Sequence, residues 1–188
     1  MKTIVISAFP ACGKTWTYTN FNGKPYTMLD SDSSKFSWLY DENGNKLGRN
    51  PNFIQEYMTH IKENIGKVDV IFVSSHKEVR QALRDNGIKY FIVHPALGMK
   101  ETFLTRMVNR GSDEAFVSFQ REHFEQFVNE IEEECRQIID STPFVNGRRV
   151  FPFHEIVLDL VRPAISNGLI DELLDDCMGN LSSLWWNY

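Results

Sequence analysis

The chain has 188 residues, a formal net charge of −5 and 42% hydrophobic residues, which is ordinary for a single folded domain with its own core. The negative charge argues against a protein that coats nucleic acid, although it is compatible with a local basic patch. No apolar stretch is long enough to cross a membrane, and the three cysteines (Cys12, Cys135 and Cys177) lack metal-ligand spacing. Because the first residues carry no secretory signal, we expect reduced thiols and a cytoplasmic protein without membrane contact.

The first half of the chain alternates predicted strands and helices. Residues 3–8 are a first strand, residues 13–22 a short helix, and residues 26–30 a second strand. Residues 41–51 are rich in Asn and Gly and are predicted as a loop. An amphipathic helix at 51–65, a buried strand at 68–73, a helix at 77–85 and a short strand at 89–94 follow. This alternation predicts an α/β fold with a parallel sheet.

The pattern becomes helical after Pro95. Residues 100–139 are predicted as helix with a break at 110–112, and Ser112 is the expected cap of the second helical segment. The expected buried stripe of that segment is Phe116, Phe119, Phe127 and Ile131. Residues 148–153 are predicted as a last short strand and residues 155–188 as mostly helical. The aromatic chain end is expected to pack on the core or on a subunit partner, which leaves an oligomer open.

The most informative segment is residues 8–15, directly after the first strand. It reads Ala-Phe-Pro-Ala-Cys-Gly-Lys-Thr, and a strand, a tight loop and Gly-Lys-Thr at a helix start are the pattern of a phosphate-binding loop. Lys14 is then expected to reach the β- and γ-phosphates of a nucleotide, and the Thr15 hydroxyl to hold Mg²⁺. The alternative is an ordinary turn. The residues expected to contact the nucleotide are Ala8, Pro10, Ala11, Cys12, Gly13, Lys14, Thr15 and Trp16.

Polar residues follow the next two predicted strands as well. Asp30 and Asp32 end the second strand, and Ser74 and Ser75 end the third. Ligands of an open parallel sheet collect at the carboxyl ends of its strands. Either aspartate is therefore a candidate general base or magnesium ligand. We predict Asp32 and Thr15 as the two magnesium-ligating residues. The alternative is a capping cluster in a turn.

Two arginines follow the fourth strand in the helical region. Arg106 and Arg110 are four residues apart, which places both on one helix face, and residues 111–113 read as a flexible break. Planar guanidinium groups match the spread charge of a transferring phosphoryl group, so a lid at about 98–115 is expected to carry them as catalytic residues. A solvated helix face is the alternative.

Other side chains are candidates for binding an acceptor substrate. Arg49 and Arg80 are weaker phosphate candidates, since each also reads as an ordinary surface charge. Trp38 lies in a polar segment and is expected to stack on a base, whereas Phe53 reads equally well as core. Cys12 lies beside a helix start, and a helix N-terminus lowers the pKa of a thiol. Cys12 is therefore either an oxidation-sensitive thiol or simply a small residue that fits the loop.

These motifs resemble the P-loop nucleoside and nucleotide kinase superfamily. The resemblance covers about residues 1–125 and rests on the 8–15 segment, the acid-bearing second strand and the Arg106 and Arg110 pair. Residues 29–34 together with residues 72–76 resemble short nucleotide-kinase-like proteins of bacteriophages. The resemblance implies that residues 1–188 form one domain, a P-loop NTPase-type three-layer sandwich. It also implies a helical lid and a helical C-terminal extension at about 140–188.

The activity implied by the resemblance is phosphoryl transfer from ATP with Mg²⁺ to a nucleotide acceptor, as in nucleotide metabolism. Our first hypothesis is a nucleoside monophosphate kinase, with deoxynucleotides among its acceptors, acting in the host cytoplasm if the chain is phage-encoded. The second hypothesis is a kinase that acts on the 5′-hydroxyl of a polynucleotide. The negative net charge of the chain disfavours it, because binding a polynucleotide usually requires a basic groove. The third is a regulatory or host-interaction protein that holds a nucleotide without rapid turnover.

Overall fold

The computed structural model describes residues 3–23, 26–141, 144–145 and 148–149. In chain order the elements are β1 (Ile4–Ala8), α1 (Lys14–Phe21), β2 (Met28–Asp30), α2 (Ser34–Ser37), β3 (Trp38–Tyr40), β4 (Lys46–Arg49), α3 (Phe53–Asn64), β5 (Val70–Ser74), α4 (Lys77–Asp85), β6 (Phe91–Val93), a 3-10 helix (Leu97–Met99), α5 (Lys100–Asn109), α6 (Glu114–Ser141), β7 (Phe144–Val145) and β8 (Arg148–Arg149).

Four parallel strands form the central sheet in the order β2-β5-β1-β6, which confirms the predicted α/β fold with a parallel sheet. Every residue of β1 and β6 is buried, as expected for strands covered on both faces. The register pairs Ala8 with Ser74 and Asp30 with Phe72. The carboxyl ends of β1, β2 and β5 therefore meet at one edge of the sheet.

The prediction of a loop over residues 41–51 is wrong, because β3 and β4 pair as an antiparallel hairpin. Asn43, Gly44 and Asn45 form its turn, whereas Gly48 lies within β4. In the turn, the Asp41 carboxylate accepts hydrogen bonds from the backbone N–H groups of Asn43 (2.9 Å) and Asn45 (2.8 Å). Gly44 has a φ of 81°, a value that glycine adopts without strain. The turn signal was thus correct, and the flanking residues extend it into strands.

The predicted helices over residues 100–139, with a break at 110–112, are confirmed, but two details of α6 differ. The cap is Asp113 rather than Ser112, since the Asp113 carboxylate accepts the N–H of Phe116 at 2.8 Å. The buried face contains Val117, Gln120, Phe124, Val128 and Ile131, whereas Phe119 is 48% exposed. Burial follows the side that packs against α5, so the stripe is rotated by about one residue from the phenylalanine-based prediction.

A partly buried ionic cluster joins α4 to α6. Glu134 accepts hydrogen bonds from Arg80 through Nε (3.0 Å) and Nη2 (2.8 Å), and from Arg84 and Tyr90. Arg80 also donates to the backbone carbonyl of Ser75, directly after β5. The cluster therefore fixes the backbone that directly follows β5.

Within the described residues, no helix combines the length and apolar character needed to span a membrane. The predicted strand at 148–153 is represented by β8, which pairs antiparallel with β7. The predicted helical stretch at 155–188 lies outside the described residues, as does most of the expected C-terminal extension.

Candidate functional site

The 8–15 loop turns sharply between β1 and α1. Ala11 (φ 64°) and Gly13 (φ 96°) both have left-handed backbone conformations. Phe9 fixes the start of the loop, since its N–H donates to the Val93 carbonyl (2.8 Å) and its ring packs edge-on against Phe124, with centroids 5.5 Å apart. A left-handed conformation at a non-glycine residue stores strain and is concentrated at functional sites. The loop is thus held in a defined, strained shape by the core beneath it.

Lys14 lies inside this loop. Its ammonium group donates hydrogen bonds to the carbonyls of Ala8 and Phe9. Removal from water lowers the pKa of Lys14, and the nearby charges of Asp30 and Asp32 oppose that shift. A cation held this way is ready to exchange loop carbonyls for the oxygens of an anion.

The hydroxyl of Thr15 and the carboxylate of Asp30 meet beside the loop. Thr15 Oγ1 donates to Asp30 Oδ2 at 2.6 Å, although the two residues belong to different elements, α1 and β2. Hydroxyl and carboxylate oxygens are ligands that Mg²⁺ accepts, together with phosphate oxygens and water. These two residues therefore fit a magnesium ion, with Asp30 in the place that sequence reasoning gave to Asp32.

Asp32 lies two residues further along, at the surface. Its carboxylate accepts hydrogen bonds from the Ser34 N–H (2.9 Å) and hydroxyl (2.8 Å). Its charge acts on Lys14 and on Arg110 from α5. The carboxylate of Asp32 is thus near enough to Lys14 and Arg110 for its charge to act on both.

Tyr57 of α3 fixes the two strand ends relative to each other, a role that sequence reasoning missed. Its side chain is fully buried, and its hydroxyl donates to the Ser31 carbonyl (2.6 Å) and accepts from the Ser74 N–H (3.3 Å). Burial raises the pKa of Tyr57 to about 12, so the hydroxyl keeps its proton at neutral pH. In the sequence Tyr57 is only one more member of an apolar helix face.

Arg106 lies on α5, and Arg110 directly follows the last residue of that helix. Arg106 is half-buried, 5.1 Å from the Phe103 ring centroid, and its charge acts on Cys12. Arg110 is exposed and donates to Ser112 Oγ at 2.8 Å. Removal from water lowers the pKa of Arg110, and Asp32 opposes that shift. Both predicted lid arginines are therefore grouped with the loop.

The predicted acceptor residues have different surroundings. Arg80 is 2% exposed and engaged in the Glu134 cluster, so we leave it out of the site. Arg49 pairs with Glu78 at 2.5 Å on the surface. Trp38 is half-buried on β3, and Phe53 is core. Trp16 is 43% exposed on α1, one residue after Thr15.

The Cys12 thiol does not have the environment of a redox-sensitive residue. It is 4% exposed, and burial raises its pKa to about 11 against the opposing charges of Lys14 and Arg106. Of the two alternatives weighed for Cys12, the small buried residue fits, because the side chain belongs to the core cluster and its Sγ donates to the Val93 carbonyl at 3.7 Å.

We therefore expect Cys12 to resist alkylation by iodoacetamide at pH 8 in the folded protein, since the thiolate is the reactive form. Peptide mass spectrometry should find it modified at least about tenfold more slowly than in the urea-unfolded chain. Equal rates in the two states would show that the loop opens far enough to expose the thiol.

Comparison with known proteins adds no identity to this geometry: no protein-family model and no curated protein matches the chain. Among the described residues, no group of three or more His, Cys, Asp or Glu side chains could hold a metal ion. A magnesium ion shared with nucleotide phosphates needs no such cage, because it is commonly held by one or two protein oxygens.

Proposed function

We propose that the chain is a P-loop phosphotransferase that moves the γ-phosphoryl group of ATP to a nucleotide acceptor. The observation that carries the proposal is the contact of Thr15 Oγ1 with Asp30 Oδ2 at 2.6 Å, beside a strained loop that already holds the Lys14 ammonium. A hydroxyl, a carboxylate and a lysine around one tight loop match the needs of a magnesium-bound triphosphate.

In this proposal each group of residues has a separate role in phosphoryl transfer. Backbone N–H groups of the 8–15 loop and the Lys14 ammonium would bind the β- and γ-phosphates. Arg106 and Arg110 would neutralise charge that develops on the transferring group. Thr15 and Asp30 would hold Mg²⁺, which when bound neutralises phosphate charge. Tyr57 keeps the end of β2 at a fixed distance from β5, and so from the loop beside it.

Two acceptors are consistent with this site. A nucleoside monophosphate is the first, and its phosphate would need cations of its own. Arg80, however, is committed to Glu134 in a nearly buried pair, which leaves Arg49, in an exposed pair with Glu78, of the two predicted acceptor arginines. The exposed carboxylate of Asp32 favours the second acceptor, the 5′-hydroxyl of a polynucleotide, because a hydroxyl must lose its proton during transfer.

Replacing Asp32 with asparagine separates these acceptors. Asparagine can still accept the Ser34 N–H but cannot take a proton, so transfer to a 5′-hydroxyl should fall by about 10²–10⁴-fold. Transfer to an already ionised monophosphate should change by less than about tenfold. The measurement is ADP formation from ATP and Mg²⁺ with each ribo- and deoxynucleoside monophosphate and with a 5′-hydroxyl oligonucleotide.

The outcomes are distinct. If Asp32→Asn loses only the ADP formation that the oligonucleotide stimulates, the 5′-hydroxyl is the acceptor. If one monophosphate stimulates ADP formation and Asp32→Asn keeps that rate, the protein is a nucleoside monophosphate kinase. If no acceptor stimulates ADP formation while ATP still binds, the phosphotransferase proposal is wrong and a nucleotide-binding regulator becomes the better account.

A further inference from the structure

The hairpin formed by β3 and β4 presents an aromatic and basic face that the proposed phosphoryl transfer does not use. Trp38 lies directly opposite Arg49, and Tyr40 lies opposite Lys46. Residues opposite each other, and residues two apart on one strand, share a face of a hairpin. The register shifts between Leu39 and Tyr40, but the Lys46 ammonium lies 4.4 Å from the Trp38 ring centroid, so Lys46 and Trp38 share this face across the irregularity.

Three carboxylates accompany these cations: Asp41 and the exposed Glu42 in the turn, and Glu78, which pairs with Arg49. The Asp41 carboxylate is occupied by the turn, where it accepts three hydrogen bonds from Asn43 and Asn45. The Arg49 pair with Glu78 is about half exposed on both sides, and such surface pairs exchange readily with other ions. The face therefore offers two cations to a polyanion.

The root of the hairpin is fixed next to the candidate active site. Asn50 is buried, donates its N–H to the Ser37 carbonyl (3.0 Å) and donates through Nδ2 to Phe36 O (2.9 Å) and Glu56 (2.8 Å). The Phe36 ring packs against Tyr57, with centroids 5.2 Å apart, and the Tyr57 hydroxyl bonds the backbone at the ends of β2 and β5. The root of the hairpin is thus tied to the strand ends that lie beside the loop.

We infer that the face carrying Trp38, Tyr40, Lys46 and Arg49 is a stacking platform for a single-stranded nucleic acid whose 5′ end reaches the 8–15 loop. Two rings on one strand face are about 7 Å apart, roughly twice the ~3.4 Å spacing of stacked bases in a duplex. They suit bases splayed out from a single strand, with the cations on its phosphates. Lys46 now covers the Trp38 ring where a base would stack.

This inference rests on the proposed function and selects its polynucleotide acceptor. Its test is equilibrium binding of the full chain, without ATP, to a 3′-fluorescein-labelled 5′-hydroxyl deoxythymidine hexamer by fluorescence anisotropy. Thymidine and an abasic hexamer serve as competitors. The abasic strand has the same phosphates but no bases, so it separates stacking from charge.

Trp38→Ala should weaken hexamer binding by about ten- to a hundredfold, as expected for the loss of one stacked base. Trp38→Phe, which keeps a ring, should stay within about threefold of the original chain. Tyr40→Ala should weaken hexamer binding but leave thymidine competition unchanged. Leu39→Ala is the matched control, because Leu39 is 44% exposed on the same hairpin and pairs with Gly48 on the other face.

The platform is wrong if the hexamer does not bind, if the abasic strand competes as well as the intact one, or if Leu39→Ala weakens binding as much as Trp38→Ala. Lys67→Ala, at an exposed lysine outside the hairpin and the loop, should leave hexamer binding intact. Binding with the expected variant profile but no phosphoryl transfer to the hexamer would overturn the proposed function alone. Transfer to a monophosphate without hexamer binding would overturn the platform alone.

Discussion

Replacing Lys14 with alanine should reduce phosphoryl transfer from ATP by at least about a thousandfold. A preorganised cation on the transferring phosphates is worth about 10³-fold or more in comparable phosphoryl-transfer sites. Lys14 is held inside the strained loop by the carbonyls of Ala8 and Phe9, so its ammonium group is oriented before the nucleotide arrives. The measurement is the steady-state rate of ADP formation with the acceptor that the panel identifies.

The same substitution should leave the fold intact. Removal from water lowers the pKa of Lys14, which means that holding the charged form in the loop costs free energy. Urea unfolding of Lys14→Ala should therefore give a free energy of unfolding equal to or slightly above that of the original chain. Lys67→Ala, at an exposed lysine, is the control and should retain full activity. Transfer that survives in Lys14→Ala would contradict the proposed role of the loop.

Local patterns predicted the part of the molecule that depends on neighbours in sequence. The helix at 77–85 has the predicted bounds, and the 8–15 segment turns between a strand and a helix as expected. Periodicity and capping residues act over a few neighbouring positions, so these signals can be recognised in the sequence without knowledge of tertiary contacts. The rotation of α6 shows the limit, because only the packing partner decides that Phe124 is buried and Phe119 is exposed.

The site itself depended on contacts that are distant in sequence. Asp30 and Asp32 are two residues apart and equivalent as letters, yet only Asp30 reaches Thr15, because the register of β2 against β5 fixes which residue ends the strand. Arg80 read as a surface cation because its partner, Glu134, follows 54 residues later. Neither the difference between Asp30 and Asp32 nor the burial of Arg80 can be recognised from neighbouring residues in the sequence.

Glu134→Ala should be the most destabilising single substitution that we predict. The Glu134 carboxylate binds Arg80, whose side chain is 3% exposed, and Arg84, whose side chain is 17% exposed. Removing it leaves two guanidinium groups partly buried without their counter-charge, which typically costs about 3–5 kcal/mol. Chemical denaturation at pH 7 measures the change. Glu125→Ala on the same helix removes an exposed pair with Lys100 and should cost less than about 1 kcal/mol.

The contribution of Glu134 should also depend on pH in a defined direction. Burial alone would raise the pKa of Glu134, but the hydrogen bonds and charges of Arg80 and Arg84 outweigh it, and the folded-state pKa lies below its ordinary value. The stabilisation is then fully present above the unfolded pKa of about 4.3 and is lost as the pH falls through the folded value.

The difference in unfolding free energy between the original chain and Glu134→Gln should therefore be constant from about pH 7 to pH 5 and shrink below about pH 4. Glutamine keeps the shape and the accepting oxygen, so this variant isolates the charge. A difference that instead grows as the pH falls would mean that the carboxyl is protonated in the folded protein. In that case the two arginines would hold Glu134 by hydrogen bonds alone, and the support of the Ser75 carbonyl through Arg80 would not depend on an ion pair.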